Sequence, residues 1–335
     1  MNLQGCRVLV TGASGRLGGR ILRELTEHGA RPVAHVRASS DTSLIDELGI
    51  EKRAADLRNR PEILTLTEGV EAVIHTAALV DFRGDRLTQF TGINTIGALE
   101  VYHAARRSGV KRFVQVSSVA AVGAIPRRRR GSQPKVIDET HEFNLRHLHI
   151  PYMVTKRAAE EELTKAAAQG GPELVIVNPS IILAPSITGG QLPSLLQRLN
   201  GWLPALPTRI NLVDGRDVAA GVAAALGRGH TGERYILGGD TVTLRELAVL
   251  AKPYLNKKSR FFPAPRPVLT AAASLWRRLA AINGHSRLSL YPDLVRLSEY
   301  DWAFSSQKAE RTLGYSYRPL AETLRDLMSA LKQAE

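Results

Sequence analysis

Tyr152 and Lys156 stand four residues apart in PYMVTKRAAEE, a stretch that reads as the front of a helix. Positions i and i+4 share a helical face, so the phenol and the ammonium are neighbours. A tyrosine hydroxyl titrates at about 10 and is a poor base near neutrality, whereas a nearby cation favours its phenolate. Such a pair can pass a proton to or from a carbonyl or alcohol oxygen. A third group should hold that oxygen, and VQVSSVAAVG offers Ser117 and Ser118. Taken alone, the Tyr/Lys spacing is also that of an ordinary amphipathic helix.

What a second reactant could be is suggested near the N-terminus. There an apolar run, RVLVTG, leads through TGASGRLG into a helix-period run. Gly12 suits the tight turn, Gly15 lets backbone approach a pyrophosphate, and Gly18 lets the helix close on the strand. Ser14, Arg16 and Leu17 complete the loop, and free N–H groups at the helix start attract phosphate. The pattern predicts a dinucleotide site. The second apolar run ends HVRASS, placing Arg37, Ser39 and Ser40 where an NAD site usually has an acid. A guanidinium suits the 2′-phosphate of NADP, and Arg16 could reinforce it, so NADP(H) is the expected cofactor. An exposed strand-end charge is the alternative for Arg37. Asp56, with Leu57 in AADL, is placed for the adenine edge or for capping a turn.

These residues need a frame that brings them to one edge. Apolar runs at 7–12, 31–36, 51–56, 71–78, 112–118 and 173–180 alternate with helix-period runs at 17–29, 42–49, 61–69, 93–109 and 152–171. Near-continuous apolar strands alternating with helices predict an α/β fold: a doubly wound parallel (Rossmann) sheet that binds ligands at its carboxyl edge. After 180 the alternation fails. A strand at 211–213, a helix at 217–226 and a strand at 235–239 precede helical stretches at 267–282 and 319–333. We expect an NADP-binding domain over 1–180, with 208–240 returning to it. Segments 181–207 and 241–335 form a smaller, mostly helical substrate-binding cap.

The 335 residues include one cysteine, Cys6, so no internal disulfide or cysteine metal cluster can form. That suits a reducing, cytoplasmic setting, and no metal site is expected. The formal charge of +13 attracts polyanions, but no compact nucleic-acid module is present and aromatic residues are only 5%. Specific nucleic-acid binding is not expected. Arg127 to Arg130 form a solvated loop or a contact for anionic lipid or substrate. The 267–282 stretch, with Trp276, Arg277 and Arg278, is either a packed cap helix or a peripheral contact with an anionic membrane.

The chain resembles the extended short-chain dehydrogenases/reductases, the NAD-dependent epimerase/dehydratase superfamily. The resemblance rests on TGASGRLG, AADL, HTAA, INTIGA, VSSVAAVG, PYMVTK, VNPS, DGRDVAAG, GERYILGG and KAERTLGY, in family order over nearly the whole chain. Within the family it is most similar to the branch of dihydroflavonol 4-reductase-like ketone reductases, 3β-hydroxysteroid dehydrogenase-like proteins and the hopanoid-associated epimerase group. The resemblance implies that Tyr152 is the general acid/base and that Lys156 lowers its pKa and binds the nicotinamide ribose. Ser118, rather than Ser117, matches the serine that holds the substrate oxygen. Asn94 matches an asparagine of the fourth helix, structural or part of a proton relay. Thr76, Ala77 and Ala78 should lie along the cofactor, and Pro179 to Ile182 near the nicotinamide carboxamide. Val122 stands where sugar-nucleotide epimerases carry tyrosine, and Ala184–Pro185 replaces the family's Gly-Pro.

These features favour an NADPH-dependent reductase of a ketone or aldehyde. The alternatives are an NAD-dependent sugar-nucleotide epimerase or dehydratase, and a non-enzymatic NADP sensor. Dehydratases commonly carry acids beside the serine, where this chain has Val119, Ala120 and Ala121. Substrate walls are expected from Val80 and Phe82, the loop 183–207 and helices from 262 to 300. Their apolar and aromatic residues point to a fairly large apolar or aromatic substrate. The resemblance adds a homodimer through the segments 93–108 and 152–168.

Overall fold

The computed structural model describes residues 1–80, 86–127, 135–184, 199, 201–206, 208–255, 258–263, 268, 269, 271, 275 and 292–333. Seven strands form one parallel sheet. Its strands are β1 (Arg7–Thr11), β2 (Arg31–Val36), β3 (Glu51–Ala54), β4 (Ala72–His75), β5 (Arg112–Val116), β6 (Glu173–Pro179) and β7 (Arg234–Leu237). Their order across the sheet is β7-β6-β5-β4-β1-β2-β3. The winding direction reverses between β1 and β4, and the crevice beyond those strand ends is where such sheets bind ligands.

Alternate side chains of each strand go to opposite faces, and both faces are covered. Val8, Val10, Ile74, Val114 and Val177 pack beneath α1 (Arg16–Glu27) and α2 (Gly215–Arg228). Leu9, Val73, Phe113, Leu174 and Ile176 pack beneath α3 (Arg60–Leu66), α4 (Ala98–Arg107) and α5 (Pro151–Ala168). Burial on both sides is why the inner strands read as near-continuous apolar runs, whereas the edge strand β3, EKRA, is largely exposed.

The helix expected near 93–109 has three parts: a turn at Leu87–Phe90, a π-helical segment at Thr91–Gly97, and α4. Thr91, Gly92, Thr95 and Gly97 are weak α-helix formers, and single π turns recur at functional sites. Gly97 is also where the helix touches the loop after β3, because an added Cβ would lie 3.4 Å from the Leu57 carbonyl.

Beyond β6 the chain builds more strand than its sequence pattern announces. Ile181–Leu183, Arg209–Asp214 and Asp240–Thr243 form a three-stranded sheet. Trp202–Pro204 pairs with Arg260–Phe262, and Ile125–Pro126 with Tyr300–Asp301. A second core of Leu183, Leu199, Leu212, Leu247, Leu320 and Leu324 seals this part. Arg216 at the start of α2 bridges Asp214 and Asp326 at 2.8 and 2.9 Å, tying the C-terminal helix Leu320–Gln333 to the frame. Arg128 to Arg130, Phe82, Trp276, Arg277 and Arg278 lie outside the described residues. No helix among the described residues is long and apolar enough to cross a membrane.

Candidate active site

Two glycines make the dinucleotide loop possible. Gly12 has φ +67°, and a Cβ there would stand 2.9 Å from the Ala77 backbone. A Cβ on Gly18 would stand 2.2 Å from the Gly12 carbonyl. The loop therefore folds back on itself with no room for a side chain. Gly18→Ala should lose about 3 kcal/mol or more of stability through overpacking against backbone, seen as a lower melting temperature. Helix α1 opens at Gly15 without a side-chain cap, so its first N–H groups face the cleft as donors. Thr76 Oγ1 donates to the Thr11 carbonyl at 2.7 Å, and Thr11 Oγ1 accepts from the Ala77 N–H at 3.3 Å. These bonds fix the backbone of 76–77 against Gly12. The cradle that a Cβ would fill, together with the open helix end, fits a pyrophosphate.

His35, which the sequence reading passed over, braces the loop from below. It is buried, its Nδ1 accepts from the Gly12 N–H at 3.4 Å, and its Nε2 donates to the Ala55 carbonyl at 3.1 Å. Burial lowers its pKa and keeps the ring neutral, as both hydrogen bonds require. Its signal in the sequence is a polar residue inside an apolar strand.

At the mouth, Ser14 Oγ donates to Ser40 Oγ at 3.2 Å, and Ser40 Oγ accepts from the Arg37 N–H at 2.9 Å. The Arg37 guanidinium forms no hydrogen bond or ion pair among the described residues, and it lines the cleft with Arg16. Asp56 also lines it, but its carboxylate accepts from the Arg58 backbone at 2.9 Å and from the Arg58 guanidinium at 3.0 and 3.1 Å. Those hydrogen bonds hold Asp56 at a pKa of about 2. Of the two roles expected for Asp56, turn cap and adenine contact, the structure displays the cap. Arg58 is a further wall residue that the sequence reading did not name.

Further in, α5 carries Tyr152 and Lys156, 7% and 3% exposed. Lys156 Nζ donates to the Val116 carbonyl at 2.9 Å, which draws its stem across the end of β5. Burial pushes Lys156 down to about 8, with the Glu160 carboxylate opposing. Burial pushes the Tyr152 phenol up, opposed by its hydrogen bond with the Ser118 side chain. The lowering expected from Lys156 is not seen here: Ser118 alone opposes the desolvation, and the Lys156 ammonium is turned to the Val116 carbonyl. Ser118 Oγ also accepts from the Ala120 N–H at 3.2 Å, which fixes the hydroxyl beside Tyr152. Ser117 Oγ, 6% exposed and at the cleft wall, has no hydrogen-bond partner among the described residues.

Asn94 is 2% exposed and stands behind the cleft wall. Its Oδ1 accepts from the Leu79 N–H at 2.7 Å, and its Nδ2 donates to the Leu79 carbonyl at 3.1 Å and to Thr155 at 3.2 Å. In this arrangement it links the π segment, the loop after β4 and the tyrosine helix.

One cleft of about 1280 Å³ joins these parts. Gly12, Ser14, Gly15, Arg16, Leu17, Gly18, Arg37, Asp56 and Leu57 line one end. Thr76, Ala77, Ala78, Lys156, Pro179 and Ile182 line the middle. Ser118, Tyr152 and the exposed Val80 lead into the other end. That end is walled by Ile93, Met153, Leu203, Leu206, Leu297 and Trp302, with Gln89, Thr208 and Ser298 as its polar members. Phe82 lies outside the described residues.

Residues 8–238 match the NAD dependent epimerase/dehydratase family. The chain is 32% identical to "Sterol demethylase protein B" of Methylococcus capsulatus over 291 residues, 85% of this chain and 83% of that one. It is 30% identical to the "Ceramide reductase" of Caulobacter vibrioides over 312 residues, 89% of this chain and 86% of that one. Among solved structures, gox2253 superposes with a TM-score of 0.80 at 29% identity, covering 97% of this chain and 98% of that one. With the glycine loop, the parallel sheet and the Ser/Tyr/Lys cluster in place, the chain belongs to the NAD dependent epimerase/dehydratase family of extended short-chain dehydrogenases/reductases, enzymes acting on CH–OH and C=O groups.

Proposed function

We propose that the protein is an NADPH-dependent reductase of a ketone or aldehyde group on a fairly large, apolar or aromatic small molecule. The observation that carries this reading is the apolar end of the cleft. Among its described wall residues no charged side chain lies beyond Lys156. A sugar nucleotide brings a diphosphate that needs cations, whereas a hydrophobic ketone gains from every apolar wall. The names of the relatives agree, one referring to sterol and the other to ceramide. Arg37, whose guanidinium makes no hydrogen bond or ion pair among the described residues, supports NADPH over NADH.

When bound, NADPH supplies the hydride for the carbonyl carbon. The glycine loop and the N-terminus of α1 hold its pyrophosphate, and Arg37 its 2′-phosphate. Ser118 donates a hydrogen bond to the carbonyl oxygen and aligns it with Tyr152. Tyr152 gives its proton to that oxygen as charge develops there. The Lys156 ammonium then stabilises the phenolate left behind. The site's low polarity strengthens each of these contacts.

A panel of carbonyl compounds with NADPH, followed by absorbance of the reduced cofactor, tests the reading. Bulky uncharged ketones should be turned over with NADPH consumed one for one. Turnover confined to nucleotide sugars, with no net NADPH loss, would refute it.

A further inference from the structure

Tyr152, Lys156 and Glu160 follow one another at i, i+4 and i+8 on one face of α5. Glu160 is 1% exposed and does not line the cleft, so the chemistry above leaves it without a task. Its Oε1 accepts from Asn178 Nδ2 at 2.7 Å, and its Oε2 accepts from Arg234 at 2.7 Å. Asn178 Nδ2 donates a second hydrogen bond, 2.9 Å long, to the backbone carbonyl of Ser118. One carboxylate thus joins the helix of Tyr152 and Lys156, the end of β6, the start of β7 and, through Asn178, the segment carrying Ser118.

Burying a charged pair is expensive, and a well-packed apolar group often holds such elements as firmly. A carboxylate at this point therefore does something packing alone does not require. Among the described residues, few ionisable groups stand near Lys156. Tyr152 and Glu160 lie on its own helix. His75 on β4 is kept neutral by burial, which pushes it down to about 3. Arg234 on β7 is paired with Glu160. Glu160 is the anion of the set.

We propose that Asn178 and Glu160 are positioning residues: Asn178 tethers Ser118 opposite Tyr152, and Glu160 supplies the counter-charge for Lys156. The inference rests on the reductase reading for what Ser118, Tyr152 and Lys156 do. Its sign with pH follows from the charges. Lys156 already lies low, at about 8, and Glu160 is the group holding it up. Removing that anion takes Lys156 lower. A site that needs the ammonium then loses activity at lower pH, and the alkaline limb of the kcat profile moves down.

Glu160→Gln keeps the shape and the acceptor for Asn178 but not the charge. It should turn over near the wild-type rate at acid pH, with its alkaline limb shifted down. The pH dependence of NADPH affinity, read by cofactor fluorescence, should shift the same way. Asn178→Leu keeps the charge and removes the tether. Its kcat should fall about 10²-fold at every pH with the limb in place, the scale of a small misplacement. Asn178→Ser, smaller than the native side chain and too short to span both acceptors, is measured alongside and should behave alike. NADPH binding at acid pH and thermal unfolding establish that each variant is folded. An unshifted limb in Glu160→Gln overturns the counter-charge, and wild-type kcat in both Asn178 variants overturns the tether. Should the wild type reduce no carbonyl compound, the reductase reading fails, while the NADPH-affinity profile still decides the role of Glu160.

Discussion

Tyr152→Phe should bind NADPH with unchanged affinity and lose about 10²–10⁴-fold in kcat, the usual worth of a positioned general acid. The substitution removes one hydroxyl from a buried ring and leaves the packing of Met153, Leu148 and Phe90 around it. Its hydrogen-bond partner Ser118 keeps its contact with the Ala120 N–H, so the serine stays in place. What disappears is the proton source for the substrate oxygen. Fluorescence titration and steady-state kinetics separate the two effects. A parallel fall in NADPH affinity would mean that the ring holds the cofactor rather than the proton.

Arg37→Ala should weaken NADPH by about 10–100-fold and leave NADH nearly unchanged. A hydrogen bond to a charged group is worth about 1.5–3 kcal/mol, and each 1.4 kcal/mol is tenfold in affinity. The prediction depends on what surrounds Arg37. Asp56, the nearest carboxylate along the cleft wall, is engaged by Arg58 and stays ionised down to a pH of about 2. Arg37 acts on Asp56 only through space, and its guanidinium makes no hydrogen bond among the described residues, so its donors are open to a ligand. Titrations of both cofactors against both proteins check this. Equal affinity for NADH and NADPH in the wild type would remove Arg37 from the account.

Several elements were readable because one physical cause wrote them. β2 falls on Arg31–Val36, the bounds of its apolar run, since a parallel strand covered on both faces has no reason to alternate. Gly12 and Gly18 were readable because only glycine fits beside backbone at 2.9 and 2.2 Å. Other features had no such mark. The π segment at Thr91–Gly97 shares its apolar spacing with a short α-helix, and its register is chosen by Asn94 meeting Leu79 and Thr155. Strands such as Trp202–Pro204 are too short for a period to show, and they are set by partners far along the chain. Glu160 continues the Tyr152–Lys156 spacing by one more turn. Its task is visible only when β6 and β7 bring Asn178 and Arg234 to it.

In a reductase the hydride leaves the cofactor for good, whereas in an epimerase it returns to the same substrate. NADPH carrying deuterium at both nicotinamide C4 positions, given with a bulky uncharged ketone, distinguishes the two when the product is analysed by mass spectrometry. One deuterium should appear on the new carbinol carbon for each NADPH oxidised, at a rate about 10²–10⁴-fold lower in Tyr152→Phe. An enzyme that retains a tightly held NAD, epimerises a nucleotide sugar and leaves the ketone unlabelled would contradict the reductase reading.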